Sequence, residues 1–261
     1  MALASEVIAE RASAFGVVQV VQSQGIRELL LDGARQTAYD PQHPARLTYH
    51  YNQLIAAGLC AWSGFGTPGE VLIVGLGGGT LSRHLDARHP ELQVTAVEID
   101  PVVVRFGRRY FGLPSDLPIV VADGRAFLEA SDTQWDLIVL DAASEDYIPP
   151  ALMTRDFYGL VNARLSDSGL VVANAWASSP TADDEAATWT SVWDPAYQFT
   201  SVANGEENRV LIGGHVNGSW RDLRHQVATR CRDEEAFDIA TLLGGLEVLT
   251  PEGGNVFRDV P

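Results

Sequence analysis

Two cysteines, Cys60 and Cys231, in 261 residues are too few for a disulfide framework, and no CxxC pair is present to suggest zinc or redox work. The histidines fall singly at positions 43, 50, 84, 89, 215 and 225, without the spacing of metal ligands, so no metal is expected. Basic residues are scarce: 18 Lys and Arg face 34 Asp and Glu, a formal charge of −16. Nucleic-acid binding draws on clustered cations to displace counterions, so this balance argues against it. It accommodates a cationic substrate, and it equally serves solubility. No apolar run approaches the roughly 20 residues that span a bilayer. Residues 1–11 carry Glu6 and Glu10 and lack a basic stretch followed by an apolar core, so a signal peptide is not expected and a cytoplasmic location is.

What is present is organised around Glu70-Val-Leu-Ile-Val-Gly-Leu-Gly-Gly-Gly-Thr80. A short branched apolar run, 71–74, enters a glycine-rich turn and then a helix, as in the first strand of a nucleotide fold. Gly75, Gly77 and Gly79 allow a tight turn and close approach to a ligand. A second strand, 94–97, ends in Glu98, about 20 residues past the glycines, where a carboxylate meets ribose hydroxyls. Asp100-Pro101 caps the next helix. Strands at 119–122 and 136–140 end in Asp123-Gly124 and Asp141. Four strand ends carrying glycine or acid on one edge of a parallel sheet mark a ligand site. Thr80 stands where a dinucleotide site needs its third glycine, and the Gly-Lys-Ser/Thr of phosphate-cradling loops is missing. The pattern suits a nucleoside without phosphates, such as S-adenosylmethionine or a relative, with Asp123 toward the adenine amino group.

The order of strand and helix predicts a doubly wound, Rossmann-like α/β methyltransferase fold behind a small antiparallel β domain. The expected division is 1–52, a β domain with a lead-in helix over 5–13; 53–215, the nucleoside-binding domain; and 216–261, a helical tail. In the first part, strands at 17–21 and 27–31 flank the turn at 22–25, with a further strand after Asp32-Gly33. A helix is expected over 47–62. Beyond Asp141, the spacing predicts a helix over 154–165, a strand over 169–174, and a helix capped by Thr181 with Asp184. A hairpin at 198–202 and 209–212 turns at Asn204-Gly205. Helices follow at 221–230 and 234–243, and 244–261 is expected to be loosely structured. Trp176, Trp189, Trp193 and Tyr197 form either an aromatic wall against a cation or core packing.

The ordered series Leu30-Leu-Asp-Gly33, Tyr51, Val74-Gly-Leu-Gly-Gly-Gly-Thr80, Val97-Glu-Ile-Asp-Pro101, Asp123-Gly124, Leu137-Ile-Val-Leu-Asp141 and Thr154-Arg-Asp-Phe-Tyr158 resembles the spermidine synthase family. More closely, it is similar to the spermidine-synthase-like branch of the S-adenosylmethionine-dependent methyltransferase superfamily, over roughly residues 15–213. The resemblance implies a homodimer, a sulfonium nucleoside as group donor and methylthioadenosine as a possible product. It implies cofactor contacts from Gly75, Gly77, Gly78, Gly79, Glu98, Ile99, Asp123 and Gly124, with Asn52 and Asp141 near the transferred group. Asp141 and Tyr51 are the implied catalytic pair.

Aminopropyltransferases of the family carry an Asp in the glycine motif to hold the amine of the decarboxylated donor, and Gly78 is taken to stand in its place. A second family Asp, three residues past the one matched by Asp141, is here Ser144. The reading that follows is methyl transfer to a small, cationic acceptor, with no nucleic acid or membrane partner. Aminopropyl transfer from decarboxylated S-adenosylmethionine is the alternative, and a silent nucleoside-binding protein the third. Glu145 and Asp146 line an acceptor entrance or are simply solvated.

Overall fold

A computed structural model describes residues 5–142, 148–203, 206–216, 218–231 and 237–259. The chain opens with four strands, β1 (Glu6–Ser13), β2 (Gly16–Ser23), β3 (Ile26–Leu31) and β4 (Ala34–Tyr39), paired antiparallel in sequence order. Two of the hairpins turn on residues with φ above zero, Gln24-Gly25 (52° and 84°) and Asp32-Gly33 (50° and 86°), which match the twist of the strands they join. The expected lead-in helix is a strand: Glu6 to Ser13 pair with Gln22 to Gly16. Ladder hydrogen bonds from β2 decide the matter for a segment too short to sustain a helix alone.

Next come α1 (His50–Leu59), β5 (Gly69–Val74), α2 (Thr80–Arg88), β6 (Leu92–Glu98), α3 (Pro101–Tyr110), β7 (Ile119–Val121), α4 (Gly124–Ala130) and β8 (Trp135–Leu140). They are followed by α5 (Arg155–Ala163), β9 (Leu165–Trp176), α6 (Ala182–Thr190), β10 (Tyr197–Ala203), β11 (Glu206–Gly214), α7 (Trp220–Arg230), α8 (Ile239–Leu242) and β12 (Leu246–Val248). Among the described residues the large sheet runs β12-β10-β11-β9-β8-β5-β6-β7. Strands β9 to β7 in that order are parallel, and β11, β10 and β12 extend the sheet antiparallel. From β5 the chain winds first to β6 and β7 and then crosses to β8 and β9 on the other side. The carboxyl ends of β5 and β8 therefore border the crevice where open α/β sheets bind ligands.

Each sheet face has its own core. Val71, Ile73, Leu137, Val139, Leu170 and Val172 pack with α1 and α2 on one face. Leu72, Val74, Ile138, Leu140, Val171 and Ala173 pack with α5 and α6 on the other. Trp189, Trp193 and Tyr197 are buried in these cores, which settles three of the four aromatics as packing. Thr181 precedes α6 without donating or accepting a side-chain capping bond; the reciprocal capping box belongs to Ser219 and Asp222 at α7. The Asn204-Gly205 turn lies outside the described residues.

The stretch expected to be loosely structured is ordered over its described residues, 244–259: β12 pairs with β10, and residues 255–259 hydrogen-bond to α5 and α6. Cys60, at the end of α1, is disulfide-bonded to Cys231, just past α7, although the sparse cysteines carry no sign of pairing at a separation of 171 residues. Arg230 reinforces the junction by donating to the carbonyls of Cys60 (3.0 Å) and Trp62 (2.6 Å). Closing so long a loop restricts the unfolded chain strongly, by about 2–5 kcal/mol. Cys231→Ser is therefore expected to lower the melting temperature by roughly 5–15 °C in non-reducing buffer, and a reductant should lower that of the parent to match. Two titratable thiols in unreduced, unfolded protein would overturn the assignment.

Candidate active site

A cavity of about 890 Å³ opens at the carboxyl ends of β5, β6 and β8 and is roofed by β4 and the start of α1. The loop after β5 sets its floor. Gly75, at φ 97°, passes so close to the carbonyl of Asp141 that a Cβ would collide with backbone, and Gly77, at φ 52°, lines the cavity. Gly78 and Gly79 do not. A Cβ at Gly78 would strike the Thr37 methyl and the Phe111 ring, and one at Gly79 would strike Leu113. These two glycines face the packing between the glycine loop, β4 and the segment after α3. A hydrogen bond between the Thr37 and Thr80 hydroxyls (2.6 Å) ties the small sheet to this loop.

Glu98 ends β6 and is buried at 9 % exposure. Its Oε2 accepts from the Leu76 N–H (3.0 Å) and its Oε1 from the Asp100 N–H (2.9 Å). Burial pushes its pKa up, and these N–H bonds oppose that shift. The carboxylate is thus fixed by the glycine loop with lone pairs still available on the cavity side. Ile99 and Asp100 line the cavity next to it. Asp100 caps α3 through Oδ1 (2.7 Å to the Val102 N–H), while its buried Oδ2 has no partner among the described residues. Asp123 caps α4 through Oδ1 (2.9 Å to the Ala126 N–H) and also faces the cavity. Gly124 beside it packs on Val74, leaving no room for a Cβ.

Asp141 follows β8, and its exposed surface opens into the cavity. Loss of solvation, with a smaller push from the Glu98 charge, raises its pKa to about 7; a hydrogen bond from Asn174 Nδ2 (3.0 Å) acts the other way. Tyr51, on the first turn of α1, donates to the Gln36 carbonyl (3.2 Å). Its pKa is raised by burial and by the charge of Asp141. Asn52 is buried, and its Oδ1 lacks a partner among the described residues. Asn174 and Trp176, from the carboxyl end of β9, complete the wall beside Asp141.

The structure brings the expected residues Tyr51, Asn52, Gly75, Gly77, Glu98, Ile99, Asp123, Gly124 and Asp141 onto one cavity. Asn174, Gln36 and Arg125 line it too, unforeseen from the sequence. Asn174 had a legible signal, a polar residue closing a strand at the ligand edge, and so did Arg125, which directly follows Gly124; only its partner Asp259 is distant, 134 residues away. Ser144, Glu145 and Asp146 lie outside the described residues. No helix of the described residues is long and apolar enough to cross a membrane.

The spermine/spermidine synthase domain matches residues 50–188. The polyamine aminopropyltransferase of Vibrio vulnificus is 34 % identical over 218 residues, covering 80 % of this chain and 72 % of that protein. An eEF1A lysine and N-terminal methyltransferase homolog of Drosophila pseudoobscura pseudoobscura is 32 % identical, but over only 45 % of this chain and 19 % of its own. Among solved structures, a probable spermidine synthase from Corynebacterium glutamicum superposes with a TM-score of 0.80 at 17 % identity, covering 98 % of each chain. Of the two relatives compared by sequence, the aminopropyltransferase covers 80 % of this chain and the methyltransferase homolog 45 %.

Proposed function

The chain belongs to the spermine/spermidine synthase family and is a transferase, and from that premise we propose that it moves an aminopropyl group from decarboxylated S-adenosylmethionine to a small amine. The observation that carries the reading is a single cavity holding Glu98, set for a ribose, together with Asp141, an acid held near neutrality beside Asn174 and Tyr51. Glu98 would accept from the ribose hydroxyls, Asp123 would meet the adenine edge, and Gly75 and Gly77 would let the nucleoside rest on backbone. Asp141 would hold the acceptor's ammonium and take its proton as the nitrogen becomes nucleophilic. The nitrogen then attacks the aminopropyl carbon next to the sulfonium: the N–C bond forms, the C–S bond breaks, and methylthioadenosine leaves as a neutral thioether. The protein's contribution is alignment in a site shielded from water. As in the family, the working unit is taken to be a homodimer.

One feature favours methyl transfer as a second reading. The 75–79 turn carries no acid, so no side chain of the loop is present to attract a decarboxylated tail or to repel a carboxylate. The two are separated by titrating S-adenosylmethionine, its decarboxylated form and methylthioadenosine calorimetrically, and by weighing the products with a diamine. The decarboxylated donor is expected to be consumed and the amine to gain an aminopropyl group. Methylated amine from S-adenosylmethionine, with no turnover of the decarboxylated donor, would overturn the proposal.

A further inference from the structure

Arg125 stands one residue past Gly124 and lines the end of the cavity assigned to the nucleoside. Its guanidinium grips Asp259, with Nη1 2.9 Å from Oδ1 and Nη2 bonded to Oδ2. The same Nη1 donates to the Ala151 carbonyl at 3.1 Å, and Nε donates to Glu129 at 3.0 Å. Asp259 in turn accepts from the Thr154 hydroxyl (2.7 Å), and its N–H donates to Asp156 (3.0 Å). The strap leading to it is fixed upstream: the Phe257 carbonyl accepts from the Arg155 N–H (2.9 Å), and the Phe257 N–H donates to the Thr188 hydroxyl (2.9 Å). The Arg125–Asp259 pair therefore joins α4, the wall formed by Pro149, Ala151 and Leu152, and the N-cap of α5.

We propose that Asp259 is a positioning residue for the nucleoside: by holding Arg125 on the Ala151 carbonyl and itself accepting from the Thr154 hydroxyl, the 255–259 strap sets the shape of that wall before the donor arrives. An isolated exposed ion pair contributes little. Here the fork of the guanidinium meets the carboxylate with two parallel bonds, and the same two groups also hold a carbonyl and a hydroxyl. Arg125 and Thr154 keep the Asp259 carboxyl down at about 2, so the clamp persists across the working pH range. Between Pro149 and Met153 the wall is a single 3-10 turn, with Leu152 packed against the core and the Ala151 carbonyl held by Arg125. Without the clamp, the donor must order the wall as it binds, and affinity falls by that cost.

The inference rests on the reading that this cavity takes the donor nucleoside, so the test carries Glu98→Ala as its control. Asp259→Ala, Asp259→Glu and a deletion of residues 255–261 are compared by calorimetry with methylthioadenosine, by kcat and KM, and by thermal melting. Asp259→Ala and the deletion are expected to raise the methylthioadenosine Kd and the donor KM about 5- to 20-fold with kcat within about twofold, and Asp259→Glu to recover part of the loss. Unchanged Kd and KM in folded Asp259→Ala, with Glu98→Ala weakened, would overturn the strap's role and leave the nucleoside reading standing. A fall in kcat with Kd and KM unmoved would overturn it equally. If neither Asp259→Ala nor Glu98→Ala alters binding, the nucleoside reading fails and the inference goes with it.

Discussion

Asp141→Asn is expected to lower turnover by about 10²-fold or more while leaving methylthioadenosine affinity within about threefold. The substitution keeps the shape and an oxygen to accept from Asn174, so the wall of the cavity survives. It removes the group that takes the acceptor's proton and the charge that holds its ammonium. With the pKa of Asp141 near 7 in the empty site, kcat/KM should climb as the pH rises through about 7, and that limb should be absent in the variant. A bound sulfonium favours the carboxylate and moves the kcat limb to lower pH. Stability supplies an independent check. A carboxyl whose folded pKa lies above its unfolded value near 3.9 holds its proton in the native state, so its contribution is lost as pH rises from about 4 through 7. Asp141→Asn should therefore melt higher than the parent near pH 8 and show no gain near pH 4. Full turnover in the variant would move proton transfer to another group.

Much of this site was legible because parallel sheets bind ligands at their carboxyl edge, so the residues that close β5, β6 and β8 are placed by local pattern alone. Glu98, Asp123 and Asp141 each end a short apolar run, and Gly75 must be glycine because the end of β8 passes against it. Gly78 shows the limit of such reasoning. Spacing within the motif said that it sits in the turn, but not which side of the turn it faces; Thr37 and Phe111, brought in by β4 and by the chain after α3, decide that. Residues 5–13 failed for a related reason. Their apolar positions fit a helix nearly as well as a strand, and the partner strand β2 settles the choice. Asp259 and Cys231 had no local signal at all: their partners, Arg125 and Cys60, lie 134 and 171 residues away.

Glu98→Ala should cost about 1.5–3 kcal/mol of methylthioadenosine affinity, roughly 10- to 150-fold, because two ribose hydroxyls lose an ionic acceptor. The variant is expected to fold, since the N–H groups of Leu76 and Asp100 border the cavity, where water can replace the lost oxygens. The conservative substitution is the more demanding test. Each carboxylate oxygen takes a separate backbone donor, Oε2 from Leu76 and Oε1 from Asp100. Glu98→Gln puts an amide NH₂ against one of those N–H groups, a donor facing a donor, and the glycine loop or the start of α3 has to shift to relieve it. Glu98→Gln should thus bind methylthioadenosine no better than Glu98→Ala, even though it preserves size. The opposite ranking, with Gln close to the parent and Ala weak, would mean that one neutral acceptor suffices and that the two backbone bonds do not fix the carboxylate. Unchanged affinity in both folded variants would place the ribose elsewhere in the cavity, and the positions assigned to Asp123 and Asp141 along the donor would have to move with it.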